Sequence, residues 1–311
     1  KTGHKLVQSL LESPGAMRKH LGWTSARVNG LTLDRPEAAL PPFFQSWARQ
    51  YVAQMGPDSD TEDMWDRSAW MVSNPSFMMP LAVHHGLTRP VHVVRRPSEL
   101  VVSAYRYHKT CGAATEPWIE LMDPPSCLGC DSLAWREIFA RCDFACSYEQ
   151  LLQRSPVREG LQIAALSSRW QVLRMLDFAH EWHDSPMALQ VALDRFESNF
   201  DQTVRCVTRF VLNEPPPAPP SVDLERLVAE AREISPAAVR QACGGSLVEA
   251  CTLQQGEAAD HMSPLGERRS LRSELRQLMQ TSAGWLGALR SADLLLDRLL
   301  LHSGTARRFG C

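Results

Sequence analysis

The apolar positions of this chain recur in two rhythms. Val91 to Val94 is a β-branched run bounded by Pro90 and Pro97, which predicts a buried strand. Glu99 to Tyr107 then carries helical spacing, with Pro97 near the first turn, where a missing N–H costs nothing. Met187 to Leu193 alternates as a second strand, and Phe200 to Leu212 reads as a helix beyond it. Trp70 to Val72 is a shorter apolar run, ending at Ser73-Asn74-Pro75, compatible with a strand and a turn. Elsewhere the period is helical. Lys5 to Glu12 is stopped by Ser13-Pro14-Gly15, and Phe43, Phe44, Trp47 and Tyr51 mark a helix among the polar loops of 24–63. Ile163, Leu166, Trp170 and Leu173 are spaced as one helical face, whereas residues 111–134 read as loop. The prolines between Asn213 and Ser221 make a stiff connector. Beyond them Leu224, Leu227, Val228, Ala231 and Ile234 form a stripe, and two further helices cover 267–281 and 286–301. Strands separated by helices predict an α/β fold, a parallel sheet with helices on both faces.

Composition excludes more than it selects. A chain of 311 residues with 44% hydrophobic content suits a globular enzyme with one large core or two modest ones. Its net charge of −2 supplies no global basic field for nucleic acid or an anionic membrane. No run reaches the roughly 18 apolar residues of a membrane span. The best late candidate, Leu294 to Leu301, is interrupted by Asp297 and Arg298. Nine cysteines are too few for a disulfide scaffold at this length. Cys127 and Cys130 have ligand-like spacing, but no second pair follows at zinc-finger distance, so a loop disulfide or two plain thiols outranks a metal. Cys142 and Cys146, one helical turn apart, are assigned to the core.

Two segments carry candidate phosphate chemistry. Lys1-Thr2-Gly3-His4-Lys5 sets a glycine, a hydroxyl and two lysines just before a helix, where exposed backbone N–H groups attract anions. It is not a Walker A loop, since Gly3 is not followed by Lys and Ser or Thr. Arg95 leaves the carboxyl end of the strand at Val91 to Val94, where open α/β sheets bind ligands. Ser103, eight residues on, returns toward it from the following helix. An arginine fork and a compact hydroxyl together suit a phosphate, though a surface arginine and an incidental serine would share the spacing.

In order and spacing these segments resemble the sulfotransferases that use 3′-phosphoadenosine 5′-phosphosulfate (PAPS). Lys1-Thr2-Gly3-His4-Lys5-Leu6 resembles their 5′-phosphosulfate loop, usually KTGTTW or KSGTT. Arg95-Arg96-Pro97 followed by Ser103 resembles their 3′-phosphate motif, RDP or RNP with a serine eight residues after the arginine. Asp194-Arg195-Phe196-Glu197, followed by Phe210-Val211-Leu212, resembles the later segment in which YED precedes a helix ending in FLG; Tyr148-Glu149-Gln150-Leu151 is a rival for that slot. The three segments span residues 1 to 212. The chain departs from the pattern at His4, Lys5, Arg96 and Phe196, and lacks a clear C-terminal RKG segment; Arg268, Arg269 and Arg272 after Gly266 are the candidates to stand in.

The resemblance implies transfer of a sulfuryl group from PAPS to a hydroxyl or amine of a carbohydrate or small-molecule acceptor, leaving adenosine 3′,5′-bisphosphate, with no metal. It implies that Lys1, Thr2, Gly3, His4, Lys5 and Leu6 hold the 5′ side, Arg95 and Ser103 the 3′-phosphate, and Phe196, Arg268 and Arg269 further parts of the nucleotide. Lys1 would neutralise charge on the bridging oxygen. A general base is also required. Relatives place a histidine or glutamate after the second strand, where this chain has Ser73-Asn74-Pro75. His4 and His85 are carried forward for that role, with His84, His20, Asp34, Glu37, Asp63 and His108 as further candidates. Trp65, Trp70, Trp118 and Trp135 suit an acceptor pocket or, more commonly for such residues, packing. The implied architecture is one domain over 1–311: a three-layer P-loop-like fold with a central parallel sheet, whose first strand would precede Lys1. Residues 111–185 would be an acceptor-side insertion, and 213–222 a connector to C-terminal helices over 223–303. A chain starting inside its motif leaves both the cytoplasm and the Golgi lumen open. A non-catalytic nucleotide-binding or interaction module of the same fold is the alternative.

Overall fold

A computed structural model describes residues 24–26, 68–70, 91–110, 132–217, 219–220, 223–235, 237–238 and 265–311. Two parallel strand pairs occur among them. β1 (Thr24–Ala26) pairs with β2 (Ser68–Trp70), and β3 (Val91–Val94) pairs with β4 (Leu189–Ala192) in the register Val93 to Val191. Parallel neighbours need a long crossover. Between β3 and β4 its described residues form five helices: α1 (Pro97–Thr110), α2 (Ser132–Ala140), α3 (Tyr148–Arg154), α4 (Val157–Ser167) and α5 (Arg169–Trp182). After β4 come α6 (Leu193–Ser198), α7 (Phe200–Leu212), α8 (Leu224–Ala231), α9 (Leu265–Thr281), α10 (Gly284–His302) and α11 (Gly304–Phe309). The described residues are thus mostly helical, an α/β arrangement around short parallel pairs.

The strand alternation decides what packs where. Val93, Leu189 and Val191 face one way, against Phe196, Val204, Val207, Phe210, Leu227 and Phe309 of α6, α7, α8 and α11. Val94 faces the other way, against Leu100, Val172, Met175, Leu176 and Leu296 of α1, α5 and α10. Helices therefore cover both faces of the β3–β4 pair. A third cluster is helix on helix, joining Val102 and Tyr105 of α1 to Ile138, Tyr148, Leu161, Leu278 and Leu289. Gly160 is the contact point between α4 and α1: a Cβ there would lie 2.4 Å from a ring carbon of Tyr105.

Several elements follow the pattern closely. Proline opens α1, and α7 ends at Asn213 in the left-handed conformation that closes helices. Leu224, Leu227, Val228 and Ala231 are buried as one stripe of α8, and Asp223 caps that helix by accepting from the Arg226 N–H at 3.1 Å.

Others differ. The stripe Ile163, Leu166, Trp170 and Leu173 is split, because the chain leaves α4 at Ser168 and restarts as α5. The break shifts the phase: α5 buries Val172, Met175, Leu176 and Ala179, and Leu173 is 38% exposed. The end of the expected loop at 111–134 is helical, since Ala134, Trp135, Ile138 and Phe139 form the buried face of α2. Cys142 and Cys146 do not share a helix. They are joined by a disulfide across the turn between α2 and α3, where Asp143 and Phe144 both have positive φ. The expected helices at 5–12 and around 43–51 lie outside the described residues.

His92 gives the fold a pH response. Its ring stands edge-on to Phe178 at 4.5 Å, and its Nδ1 is shielded from solvent without a hydrogen-bond partner. Burial pulls its pKa down to about 4. The folded protein keeps the ring neutral while the unfolded chain takes up a proton near 6.5, so this contribution to stability is complete above about 6.5 and is lost progressively as the pH falls toward 4. Urea denaturation at pH 7 and pH 5 should show the loss, and His92→Phe should flatten the slope.

Candidate functional site: an arginine-lined cleft at the strand ends

β3 and β4 run parallel, so their carboxyl ends meet at one edge, and a cleft of about 580 Å³ opens there. Its floor includes Val94, Gln190 and Ala192. The β3 end contributes Arg95. Although charged, it is only 7% exposed, held between the strand and α1. Its Nη1 donates to Ser103 Oγ at 2.7 Å. Strand, two-residue turn and two turns of helix bring these groups together, which is why the eight-residue spacing matters. Arg95 lines the cleft, and Ser103 stands behind it in α1.

Arg96 also lines the cleft and donates through Nε to Asp297 of α10 at 2.9 Å; that hydrogen bond raises the guanidinium pKa, opposing the effect of burial. One turn earlier on α10, Asp293 accepts from the Ser98 backbone N–H at 2.9 Å. Burial pushes the Asp293 carboxyl pKa up, against the lowering effect of the Ser98 bonds. The protein's own carboxylate therefore occupies the first turn of α1, a position that would otherwise attract an external anion. An anion in the cleft has to be held mainly by side chains.

Those side chains come from three walls. On α9, Arg268, Arg272 and Arg276 are spaced i, i+4, i+8 and line one side. Glu99 of α1 faces them, receiving Arg268 Nη2 at 3.3 Å and Arg272 Nη2 at 2.6 Å, with Arg272 Nε 2.5 Å from its second oxygen. The end of β4 supplies Asp194, Arg195 and Glu197, and α11 supplies Arg307. Seven arginines and four carboxylates line the cleft, a surplus of three positive charges. Arg195 donates to the Cys311 carbonyl, and Gln202 to the Gly310 carbonyl at 2.9 Å. A disulfide joins Cys206 of α7 to Cys311, which also lines the cleft.

The structure thus gathers Arg95, Ser103 and Arg268 around one site, with Arg272 beside them. Arg269 is exposed on α9 and does not line the cleft. Phe196 is 1% exposed and lies in the core, its ring 6.4 Å from that of Phe200. His108 packs between the rings of Tyr107 and Tyr148 in α1 and is not in the cleft. Trp135 is likewise core, edge-on to Tyr148. Lys1, Thr2, Gly3, His4, Lys5, Leu6 and His85, with His20, Asp34, Glu37, Asp63 and His84, lie outside the described residues. Cys127, Cys130, Trp65 and Trp118 do too.

Sequence reasoning missed Glu99, Arg195, Arg276, Arg307 and Asp297. The four-residue spacing on α9 was a visible signal; the other four are joined only by the tertiary fold. Among the described residues no cluster of histidine, cysteine or acidic groups is placed to hold a metal ion, and no helix is long and apolar enough to cross a membrane. No family model matches the chain, and no curated protein or solved structure matches it either.

Proposed function

We propose that this chain is a sulfotransferase that moves the sulfuryl group of PAPS to a hydroxyl or amine of a carbohydrate or small-molecule acceptor. The observation that carries the reading is the Arg95–Ser103 pair, 2.7 Å apart at the carboxyl edge of a parallel strand pair, at the back of an arginine-lined cleft. An arginine fork with a hydroxyl beside it suits a phosphate, and a cleft of about 580 Å³ suits a ligand of nucleotide size. Arg95 and Ser103 would hold the 3′-phosphate, which distinguishes this donor from ATP, with Arg268 closing over it from α9. Lys1, Thr2 and Gly3 would take the 5′-phosphosulfate, within the three-layer P-loop-like fold that the motif order implies. Positioning and charge stabilisation then supply most of the rate, as in phosphoryl transfer.

The non-catalytic alternative differs in the base: of the four described carboxylates lining the cleft, Glu99 and Asp297 are tied to arginines, and Asp194 and Glu197 stand at the end of β4. Calorimetric titration separates the readings. Adenosine 3′,5′-bisphosphate should bind with micromolar or tighter affinity and outcompete ATP; preference for ATP would sink both. Binding without sulfate transfer across a broad acceptor panel would leave the non-catalytic module.

A further inference from the structure

We propose that Arg276 is a second anion subsite of the cleft and takes an acidic group of the acceptor. The acceptor is then an alcohol or amine that bears a carboxylate, sulfate or phosphate of its own. The surplus of positive charge is not spread evenly over the walls. Arg96 is balanced by Asp297, to which it donates at 2.9 Å. At the end of β4 and on α11, Arg195 and Arg307 stand with Asp194 and Glu197, two charges of each sign. What remains is Arg95, Arg268, Arg272 and Arg276 with the single carboxylate of Glu99, so all three surplus charges belong to Arg95 and α9. One phosphate group, with at most about two negative charges, does not match them.

Glu99 also divides the α9 row. Both of its oxygens are engaged by Arg272, at 2.6 and 2.5 Å, whereas Arg268 reaches it at 3.3 Å. Arg272 and Glu99 thus form a neutral pair in the middle of the row, with Arg268 one turn to one side and Arg276 one turn to the other. Arg276 is exposed and has no hydrogen bond or ion pair among the described residues. Eight residues of helix set it about 12 Å from Arg268 along the axis. Helical side chains all lean toward the N-terminus, so the row stays spread and does not converge on one group. A phosphate held by Arg95 and Arg268 leaves Arg276 for a different anion. Which molecule carries that anion rests on the sulfotransferase reading. There the donor's 3′-phosphate goes to Arg95, Ser103 and Arg268, and its 5′-phosphosulfate to Lys1, Thr2 and Gly3. The group at Arg276 then belongs to the acceptor, and a neutral acceptor of the same size would leave this arginine in water.

Calorimetry on the full chain tests the spacing with two probes: octyl phosphate, and octanediol carrying a phosphate at each end, long enough to span Arg268 and Arg276. The bisphosphate should bind about tenfold tighter. Arg276→Gln, at an exposed helical position that glutamine suits, should cut the advantage to about twofold or less and leave octyl phosphate unchanged. Arg276→Lys should keep part of it. Equal affinity of the wild type for both probes, failure of both to bind, or an advantage that survives Arg276→Gln would each overturn the subsite. A second titration asks whether the anion at Arg276 is separate from the donor. Protein saturated with adenosine 3′,5′-bisphosphate should still bind octyl phosphate, now at Arg276, and Arg276→Gln should weaken that binding about fivefold or more. Mutually exclusive binding would overturn the acceptor assignment. If adenosine 3′,5′-bisphosphate does not bind the wild type while the octanediol probe keeps its Arg276-dependent advantage, the sulfotransferase reading falls and the subsite stands as one for molecules with two acidic groups.

Discussion

Replacing Arg95 with alanine is expected to weaken binding of adenosine 3′,5′-bisphosphate by roughly 30- to 700-fold while leaving ADP nearly unaffected. Arg95 is a guanidinium with only 7% of its surface exposed, hydrogen-bonded to Ser103 at 2.7 Å. Truncating one partner of a buried charged pair costs about 2–4 kcal/mol, much of it from leaving the other charge unpaired. A 3′-phosphate would be that partner, and ADP has none. Arg95→Lys keeps the charge but loses the planar fork, so it should recover only part of the affinity. Ser103→Ala should cost less, because it removes one neutral hydroxyl. Calorimetry with both nucleotides on all three variants is the measurement. An Arg95→Ala protein that still prefers the 3′-phosphorylated ligand would remove Arg95 from its assigned role.

The second large effect is on stability. Phe196→Ala should destabilise the fold by about 3–5 kcal/mol, the usual cost of emptying a buried aromatic site. In a chain of this size that is a fall in Tm on the order of 10 °C. Resemblance to a nucleotide-binding segment had made Phe196 a candidate to touch the ligand. Its position argues otherwise: it is 1% exposed, sits just after β4, and packs with Val191, Phe200 and Val204. Thermal unfolding gives the first number. Titration of the still-folded variant with adenosine 3′,5′-bisphosphate gives the second, expected within about twofold of wild type. A small stability change with a large loss of nucleotide affinity would restore the ligand role.

What could be read ahead of the structure was local. The β-branched run Val91 to Val94 followed by Pro97 specifies strand, turn and helix start from backbone preferences alone, and so brings Ser103 back to Arg95. The same holds for α7, where an alternating run and then a helical period stand next to each other in sequence. The break at Ser168 was hidden because no glycine or proline marks it, and the apolar residues on either side continue a helical rhythm at the wrong phase. The rest of the cleft was illegible for a different reason. Glu99 meets Arg268 and Arg272 across separations of 169 and 173 residues, and Arg195 meets Cys311 across 116. Long-range pairing of this kind follows from packing of whole elements, not from any window of sequence. The disulfides belong to the same class: spacing assigned Cys142 and Cys146 to a shared helix, whereas the turn between α2 and α3 brings them together.

Glu99 gives the cleft a tethered counterion. Because a carboxylate already sits between Arg268 and Arg272, an incoming anion does not fill an empty field but must displace a resident one. A monovalent anion such as chloride exchanges one charge for another and gains little. A phosphate dianion with several acceptor oxygens has enough to offer to displace the carboxylate. In a cleft that takes phosphate, the arrangement would act as a threshold, keeping these arginines paired until a multiply charged ligand arrived, and the displaced group would remain attached to α1 beside it.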